Sequence, residues 1–331
     1  MPFLACRVFE DEGKAVARLV TLETGDLSPG EVTIRGEYSG INYKDALAAT
    51  GRGKILRRFP LNAGIDVAGA VVASSDPRYR PGDRVLVNGM GLGETQDGGL
   101  AGEVRVPADA IVPLPGGLST FEAMALGTAG FSAALAIHRM EQMDQRPGQG
   151  PVAVTGASGG VGSIAVAILA GRGYRVVAVS GRREHHPYLA SLGAAETVTP
   201  EDLGLGTRPL ESTRFAGAVD NVGGDLLAAL IRHVGLWGTV AVVGNAAAPS
   251  LETTVFPLIL RGVSLLGVSS MNCPMPLRAE IWRRLGGEMK PSRLALEAIV
   301  ARTVPLSAVL GEFAPLLDRR VRGRIVVDLA S

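Results

Sequence analysis

Residues 151–163 read PVAVTGASGGVGS and run straight into the apolar segment IAVAILAG, residues 164–171. An apolar strand, a glycine-rich turn and an apolar helix in that order are the context a dinucleotide fingerprint requires. In the G-x-G-x-x-G/A register the key positions are Ala157, Gly159 and Gly162, with alanine in the first place. Gly159 lets the main chain approach a pyrophosphate, and Gly162 lets helix and strand pack closely. Phosphates are expected at the helix N-terminus, where unpaired N–H groups and the helix dipole favour an anion. The plainer alternative is an ordinary strand-to-helix turn. A second apolar strand at Arg175–Ser180 (RVVAVS) argues against it.

The same letters fit a second pattern, T-G-x-x-x-G-x-G, at Thr155, Gly156, Gly160 and Gly162. Short-chain dehydrogenases carry that pattern near the N-terminus with a Tyr-x-x-x-Lys pair downstream. Here about 150 residues precede it, and none of Tyr38, Tyr43, Tyr79, Tyr174 or Tyr188 has a lysine four residues on. That family is set aside. The end of the second strand then selects the dinucleotide. NAD sites place an Asp or Glu there to hold the ribose 2′-OH. This chain has Ser180-Gly181-Arg182-Arg183 instead, a hydroxyl and guanidinium that suit a 2′-phosphate. The expected cofactor is therefore NADPH, with Arg183 read as a solvated basic residue.

Outward from the turn, strands and helices alternate through GAVDNV, DLLAALIRHV, GTVAVVG and LRGVSLLGVS. That rhythm predicts a doubly wound parallel sheet buried on both faces. Upstream, the short runs FLACRVFE, EVTIRGEYSG, DVAGAVVAS, DRVLVNG and EVRVPADAIV are separated by Pro and Gly, which predicts a β-rich domain. One helix is expected there, from Tyr43 to Thr50. Downstream come the helical stretches PLRAEIWRRLGGEM and LSAVLGEFAPLLDRR and a closing strand, RGRIVVDL. That strand has no place in the parallel sheet and is expected to return to the first domain. The fold class is thus α/β, with boundaries at 1–123, 124–271 and 272–331.

Composition narrows the function classes. Of 331 residues, 47% are hydrophobic and 20% charged, so a large core is available. The net charge of +1 offers no global field for nucleic acid or a membrane surface. Two cysteines cannot build a disulfide framework, which makes a reducing compartment, the cytoplasm, the default expectation. The N-terminal stretch shows no signal-peptide pattern, and no run of about 18 uninterrupted apolar residues occurs. Two Cys and four His (His138, His185, His186, His233) show no ligand spacing, so no metal site is expected.

A β-rich first domain, a central Rossmann domain and a C-terminal return resemble the medium-chain dehydrogenase/reductase superfamily, whose first domain is GroES-like. Many members carry a catalytic zinc with a ligand in a Gly-His-Glu segment. The matching segment here is Gly64-Ile65-Asp66, which places the chain with the zinc-free, quinone-oxidoreductase-like branch. The run Gly40-Ile41-Asn42-Tyr43-Lys44-Asp45-Ala46-Leu47, together with VTGASGGVG, the Ser180-Gly181-Arg182 turn and GVSSM, is similar to the NADPH-dependent acryloyl-CoA reductase family. The resemblance implies cofactor contacts at Tyr43, at Ser158, Gly159, Gly160 and Val161, and at Ser180, Gly181 and Arg182. It suggests further contacts at Asn245, Ile259 and Ser270, and places Thr128 near the nicotinamide or its phosphates. A homodimer built by extending the Rossmann sheet is common among such relatives.

Acryloyl-CoA is an electron-poor alkene conjugated to a thioester. Hydride addition to its β-carbon drives negative charge onto the thioester oxygen, so the protein must stabilise an enolate and supply a proton. Tyr43 is the candidate proton donor or enolate partner, with Asn42 as an orienting donor. For Tyr43, a ring packed on the nicotinamide is the bland alternative; for Asp45, capping the helix that starts there is favoured over catalysis. CoA carries phosphates. Arg52, Lys54, Arg57 and Arg58 form one basic cluster, and Arg319, Arg320, Arg322 and Arg324 another, though most charge runs are solvated faces. Two rivals stand beside this expectation: an NADPH:quinone reductase, and a non-catalytic NADPH-binding sensor.

Overall fold

A computed structural model of the chain describes residues 2–331. Met1–Thr128, Ser270–Gly286 and Val300–Ser331 form one compact unit, and Ala129–Ser269 with Gly287–Ile299 form the other.

The first unit is built on β-structure. Strands β1 (Phe3–Asp11) and β2 (Lys14–Leu22) form a hairpin, and β4 (Leu61–Asn62) completes a three-stranded sheet in the order β2-β1-β4. Glu12 and Gly13 both take positive φ in the two-residue turn, the geometry that matches the twist of the flanking strands. β2 was not anticipated: its residues are half-exposed on both faces, so no alternating pattern marks it. The second sheet draws on β3 (Val32–Ile41), β5 (Asp66–Ser74), β6 (Arg84–Asn88), β7 (Glu103–Val106) and β8 (Val112–Pro113). The run EVRVPADAIV, expected as one strand, splits because Pro107 has no N–H for a ladder; β7 ends at Val106 and a 3₁₀ turn follows. Between β3 and β4 lies helix α1 (Tyr43–Thr50), at the expected place.

In the second unit β9 (Val152–Thr155), β10 (Val176–Val179), β11 (Glu196–Val198), β12 (Phe215–Asp220), β13 (Val234–Val242) and β14 (Ser264–Gly267) form one parallel sheet in the order β11-β10-β9-β12-β13-β14. The strand order reverses between β9 and β12, and the carboxyl ends on either side of that reversal are where doubly wound sheets bind ligands. Between the strands run α3 (Gly160–Gly171), α4 (His186–Ser191), α5 (Gly224–Ile231) and α6 (Phe256–Arg261). Chain passes from the first unit to the second along α2 (Thr120–Gln142), a helix long and apolar enough to span a membrane. Its most apolar window is 83% buried in the protein, which makes it a core helix.

The closing strands β15 (Val300–Pro305) and β16 (Arg324–Asp328) return to the first unit, where β16 pairs antiparallel with β3. Helices α7 (Met275–Leu285) and α9 (Phe313–Leu317) belong to that unit as well. The return is less complete than the 272–331 boundary implies. Residues 287–299, with α8 (Arg293–Ile299), stay with the second unit, where α8 packs on α3. The first unit also runs on past residue 123 to Thr128, within α2 and next to a break at Gly127. This glycine breaks the helix with φ +51° and ψ −154°.

Candidate active site

The glycine turn has the local structure its letters demand. Gly156 takes φ +57°, the left-handed region that Gly enters without steric cost. Gly159 is the N-cap of α3, and the first intrahelical bond runs from Ser163 N to Gly159 O (2.9 Å). The N–H groups of Gly160, Val161 and Gly162 therefore precede the ladder and point out of the helix end. A Cβ on Gly162 would sit 2.6 Å from Ala157 Cα and run into Gly156 O, so helix and turn touch backbone to backbone. This is the packing role assigned to the last glycine of the fingerprint.

Beside the turn, Ser158 Oγ and Ser180 Oγ lie 3.2 Å apart, and Arg182 N donates to Ser180 Oγ (3.4 Å). The half-buried Arg182 side chain has no carboxylate partner among the described residues. Its neighbour Arg183 is exposed and paired with Asp202 (2.8 Å), which leaves it a surface ion pair. Gly181 is exposed at the tip. Under the turn, Thr155 Oγ1 donates to Asp220 Oδ1 (2.6 Å), and Asn221 Nδ2 donates to Thr155 O (2.8 Å). Gly223 N caps Asp220 Oδ2 (2.8 Å). Burial pushes the Asp220 carboxyl above its ordinary range, against these donors. The lock joins the ends of β9 and β12, and it went unread because a polar residue ending an apolar strand resembles a plain loop start.

Hydroxyls, unpaired N–H groups, a glycine cradle and an unclaimed guanidinium are the donor set a phosphorylated dinucleotide needs. Asn245, also in this unit, is exposed in the loop after β13, and Ile259 is 68% exposed on α6.

The other functional candidates sit in the first unit around a buried polar network. Asp66, fully buried at the start of β5, accepts from Asn42 Nδ2 (2.7 Å), Thr128 N (2.8 Å) and Thr128 Oγ1 (2.6 Å). Arg324 on β16 is also buried, with Nη2 3.7 Å from Asp66 Oδ2 and Nη1 donating to Ile41 O and Asn42 Oδ1 (3.0 Å each). Its Nε reaches Ala125 O (3.2 Å). The Gly127 kink follows from this: a Cβ there would sit 2.5 Å from Asp66 Oδ2, and the broken helix frees Thr128 N for Asp66. Burial lowers the Arg324 guanidinium from its ordinary value, opposed by the charges of Asp66 and Asp45.

Asn42 is the N-cap of α1, and its N–H is taken by Asp45 Oδ2 (2.8 Å), the capping geometry expected of Asp45. Asp45 Oδ1 also accepts from Ile65 N (2.9 Å). Burial pushes the Asp45 carboxyl up to about 7, with the Asn42 and Ile65 hydrogen bonds opposing and the Asp66 charge adding to the rise. The Asn42 amide is spent inside the network, on Asp66, Arg324 and Gly40 O (3.1 Å). Its side chain therefore orients neighbours and does not face outward. Tyr43, the first residue of α1, is 50% exposed. Ile65 is buried, and no three His, Cys, Asp or Glu gather as metal ligands among the described residues. Ser270 serves through its carbonyl, which accepts from the buried Arg278 (2.7 Å). Asp66 and Arg324 are visible in the sequence as lone charges in the apolar runs GIDVAGAV and GRIVV. Only their meeting across the sheet, 258 positions apart, shows what they do.

Comparison with known proteins matches two family profiles: the alcohol dehydrogenase GroES-like domain over residues 28–116 and the zinc-binding dehydrogenase domain over residues 160–285. The acrylyl-CoA reductase AcuI of Ruegeria pomeroyi is 46% identical over 321 residues, covering 97% of this chain and 96% of that protein. The protein yhfP of Bacillus subtilis, solved with NAD bound, superposes with a TM-score of 0.97 at 46% identity over 99% of this chain and 100% of that one. The yhdH oxidoreductase from Salmonella enterica, solved in complex with NADP, gives a TM-score of 0.94 at 44% identity over 99% of each chain.

Proposed function

Since the chain belongs to the medium-chain dehydrogenase/reductase superfamily, we propose that it is an NADPH-dependent reductase of the conjugated C=C bond of a short enoyl-CoA thioester such as acryloyl-CoA. The observation that carries the reading is the full-length similarity to an acrylyl-CoA reductase, on a fold whose nucleotide turn presents Ser158, Ser180 and an unclaimed Arg182.

NADPH, when bound, supplies the hydride that the substrate β-carbon receives. Gly159 through Val161 hold the pyrophosphate by main-chain N–H groups, and Ser180 with Arg182 holds the 2′-phosphate. Asp66 accepts a hydrogen bond from the Thr128 hydroxyl, which leaves the lone pairs of that oxygen on the other side to accept one. Tyr43 is the proposed donor to the enolate, as a hydrogen bond to the thioester oxygen or as a proton to the α-carbon. Asn42 is a positioning residue: it fixes the start of α1, and so the place from which Tyr43 projects. Asn245, Ile259 and Ser270 are proposed as outlying cofactor contacts. A homodimer is also proposed, supported by the free edge of β14 and by exposed Val255, Phe256, Ile259 and Leu260 near it in the chain. A cytoplasmic location fits two buried free thiols.

A second reading, reduction of quinones, is favoured by one observation: the Bacillus subtilis relative carries a quinone oxidoreductase name. NADPH oxidation followed separately with acryloyl-CoA and with a simple quinone decides between them. Turnover of the thioester with formation of propionyl-CoA supports the proposal, and turnover of quinone alone overturns it. NADPH binding without turnover of either substrate would leave a sensing role. Tyr43→Phe is expected to lower kcat with acryloyl-CoA by about 10²-fold, the scale of a lost general acid, with little change in NADPH affinity. A ring that only packs on the cofactor would keep kcat.

A further inference from the structure

The two basic segments of the first unit are about 270 positions apart in sequence, yet the fold brings them onto one face. Helix α1 packs against α9, and each is followed directly by a basic segment. Asp318 joins them: Arg52 Nη1 lies 3.8 Å from Asp318 Oδ1, and Arg320 Nη2 lies 2.6 Å from Asp318 Oδ2. Leu47, Ile55, Leu316 and Val321 pack on the same hydrophobic cluster beneath, so both segments rest on one floor.

Not every residue of the two runs belongs to this face. Arg324 is buried in the Asp66 network, and Arg58 is turned to Ser28 Oγ (2.7 Å) and Thr95 O (3.2 Å). What stays exposed on it is Arg52, Lys54, Arg57 and Arg320, with Asp318 between Arg52 and Arg320. Nearby acids are otherwise engaged: Glu94 with Lys44 (2.7 Å), Glu312 with Arg302, and Asp11 with Arg18 (2.6 Å). Glu10 and Glu12 in the β1–β2 hairpin bound the face on the side where Gly51 meets Ala15.

We propose that this face binds the phosphorylated end of the thioester substrate, the 3′-phosphoadenosine diphosphate of CoA. The inference rests on the enoyl-CoA reading and adds to it the place where the handle is held. Helix α1 supplies the ruler. Tyr43 begins the helix and Arg52 follows its C-cap, Gly51, so the two are separated by about 13 Å at 1.5 Å per residue. The pantetheine arm between thioester and diphosphate has the reach of four to five extended residues, on the order of 15 Å. A thioester carbonyl at Tyr43 thus puts the diphosphate over the Arg52–Arg320 face. Guanidinium groups suit it, because each can grip a phosphate through two N–H bonds.

The test uses whole protein saturated with NADP⁺, so that the dinucleotide site cannot take the probe. 3′-Phosphoadenosine 5′-diphosphate is titrated calorimetrically into wild type and into Arg52→Ala/Arg320→Ala. Wild type is expected to bind it, more weakly as salt rises, and the variant at least tenfold less tightly. In kinetics, the wild-type preference for acryloyl-CoA over acryloyl-pantetheine, which lacks these phosphates, is expected to shrink about tenfold in the variant. No binding to the NADP⁺-saturated wild type, or equal binding by the variant, overturns the site. If the probe binds as expected while acryloyl-CoA is not reduced, the reductase reading fails and the phosphate site stands. If acryloyl-CoA is reduced with an unchanged preference in the variant, the site fails and the reductase reading stands.

Discussion

Asp66→Asn is the perturbation that probes the buried network most sharply. The substitution keeps volume but removes the charge facing Arg324 at 3.7 Å, where both side chains are buried. It also puts an NH₂ group where three donors now converge, from Asn42 Nδ2, Thr128 N and Thr128 Oγ1. Whichever way the new amide turns, at least one of those donors loses its acceptor. Leaving one member of a buried ion pair without its partner costs about 3–5 kcal/mol, and an unsatisfied buried donor about 1–3 kcal/mol more. The loss is therefore at least about 3 kcal/mol, a drop in melting temperature of roughly 6 °C or more at about 2–4 °C per kcal/mol. Thermal unfolding followed by near-ultraviolet circular dichroism measures it. A double-mutant cycle with Arg324→Met then isolates the pair, since removing the stranded guanidinium should recover at least about 1 kcal/mol. A loss below about 1 kcal/mol in Asp66→Asn, or strict additivity in the cycle, would refute the reasoning that these two charges hold the site together.

Three other outcomes are expected. Asp45 has its folded-state carboxyl raised to about 7 from 3.8. The native state thus holds a proton that the unfolded chain releases earlier, and stability declines as pH rises from about 4 to about 7. Between pH 5 and 7 the decline is on the order of 3 kcal/mol, at 1.36 kcal/mol per unit; denaturant titrations should show it in wild type and not in Asp45→Asn, and equal slopes would contradict it. Gly162→Ala drives a methyl into the Gly156–Ala157 backbone, so a stability loss of about 1–3 kcal/mol and at least tenfold weaker NADPH binding by fluorescence titration are expected; an unchanged Kd would show that the turn does not hold phosphate. Arg182→Ala removes a charge-assisted contact of about 1.5–3 kcal/mol, hence a rise of roughly 10–150-fold in the NADPH Kd with NADH binding unmoved; equal effects on both cofactors would locate the 2′-phosphate elsewhere.

The Rossmann half was legible because each of its signals is local. Gly156 and Gly162 are needed by backbone geometry within seven residues, and Ser180 to Arg182 follow a short strand. The β-rich half was legible as strands but not as a site. Asp66, Arg324 and Thr128 are individually ordinary, and only the pairing of β16 with β3 and the kink at Gly127 bring them onto one another. Asn42 shows the limit most plainly. Its polar side chain beside an exposed tyrosine invites a catalytic role, yet its amide is consumed by Asp66, Gly40 and Arg324. The β2 strand, half-exposed on both faces, and the split of residues 103–113 at Pro107 were hidden for a similar reason, because neighbouring strands and not internal periodicity decide them. The basic runs were visible, but which arginines stay at the surface depended on the packing of α1 on α9.

The central claim is that this chain spends NADPH on an activated thioester alkene. Steady-state NADPH oxidation with acryloyl-CoA, with propionyl-CoA identified by mass as the product, tests it most directly. The account expects saturable turnover with acryloyl-CoA, strong preference for NADPH over NADH, and much slower oxidation with a simple quinone. Rapid quinone reduction with no propionyl-CoA formed would contradict it.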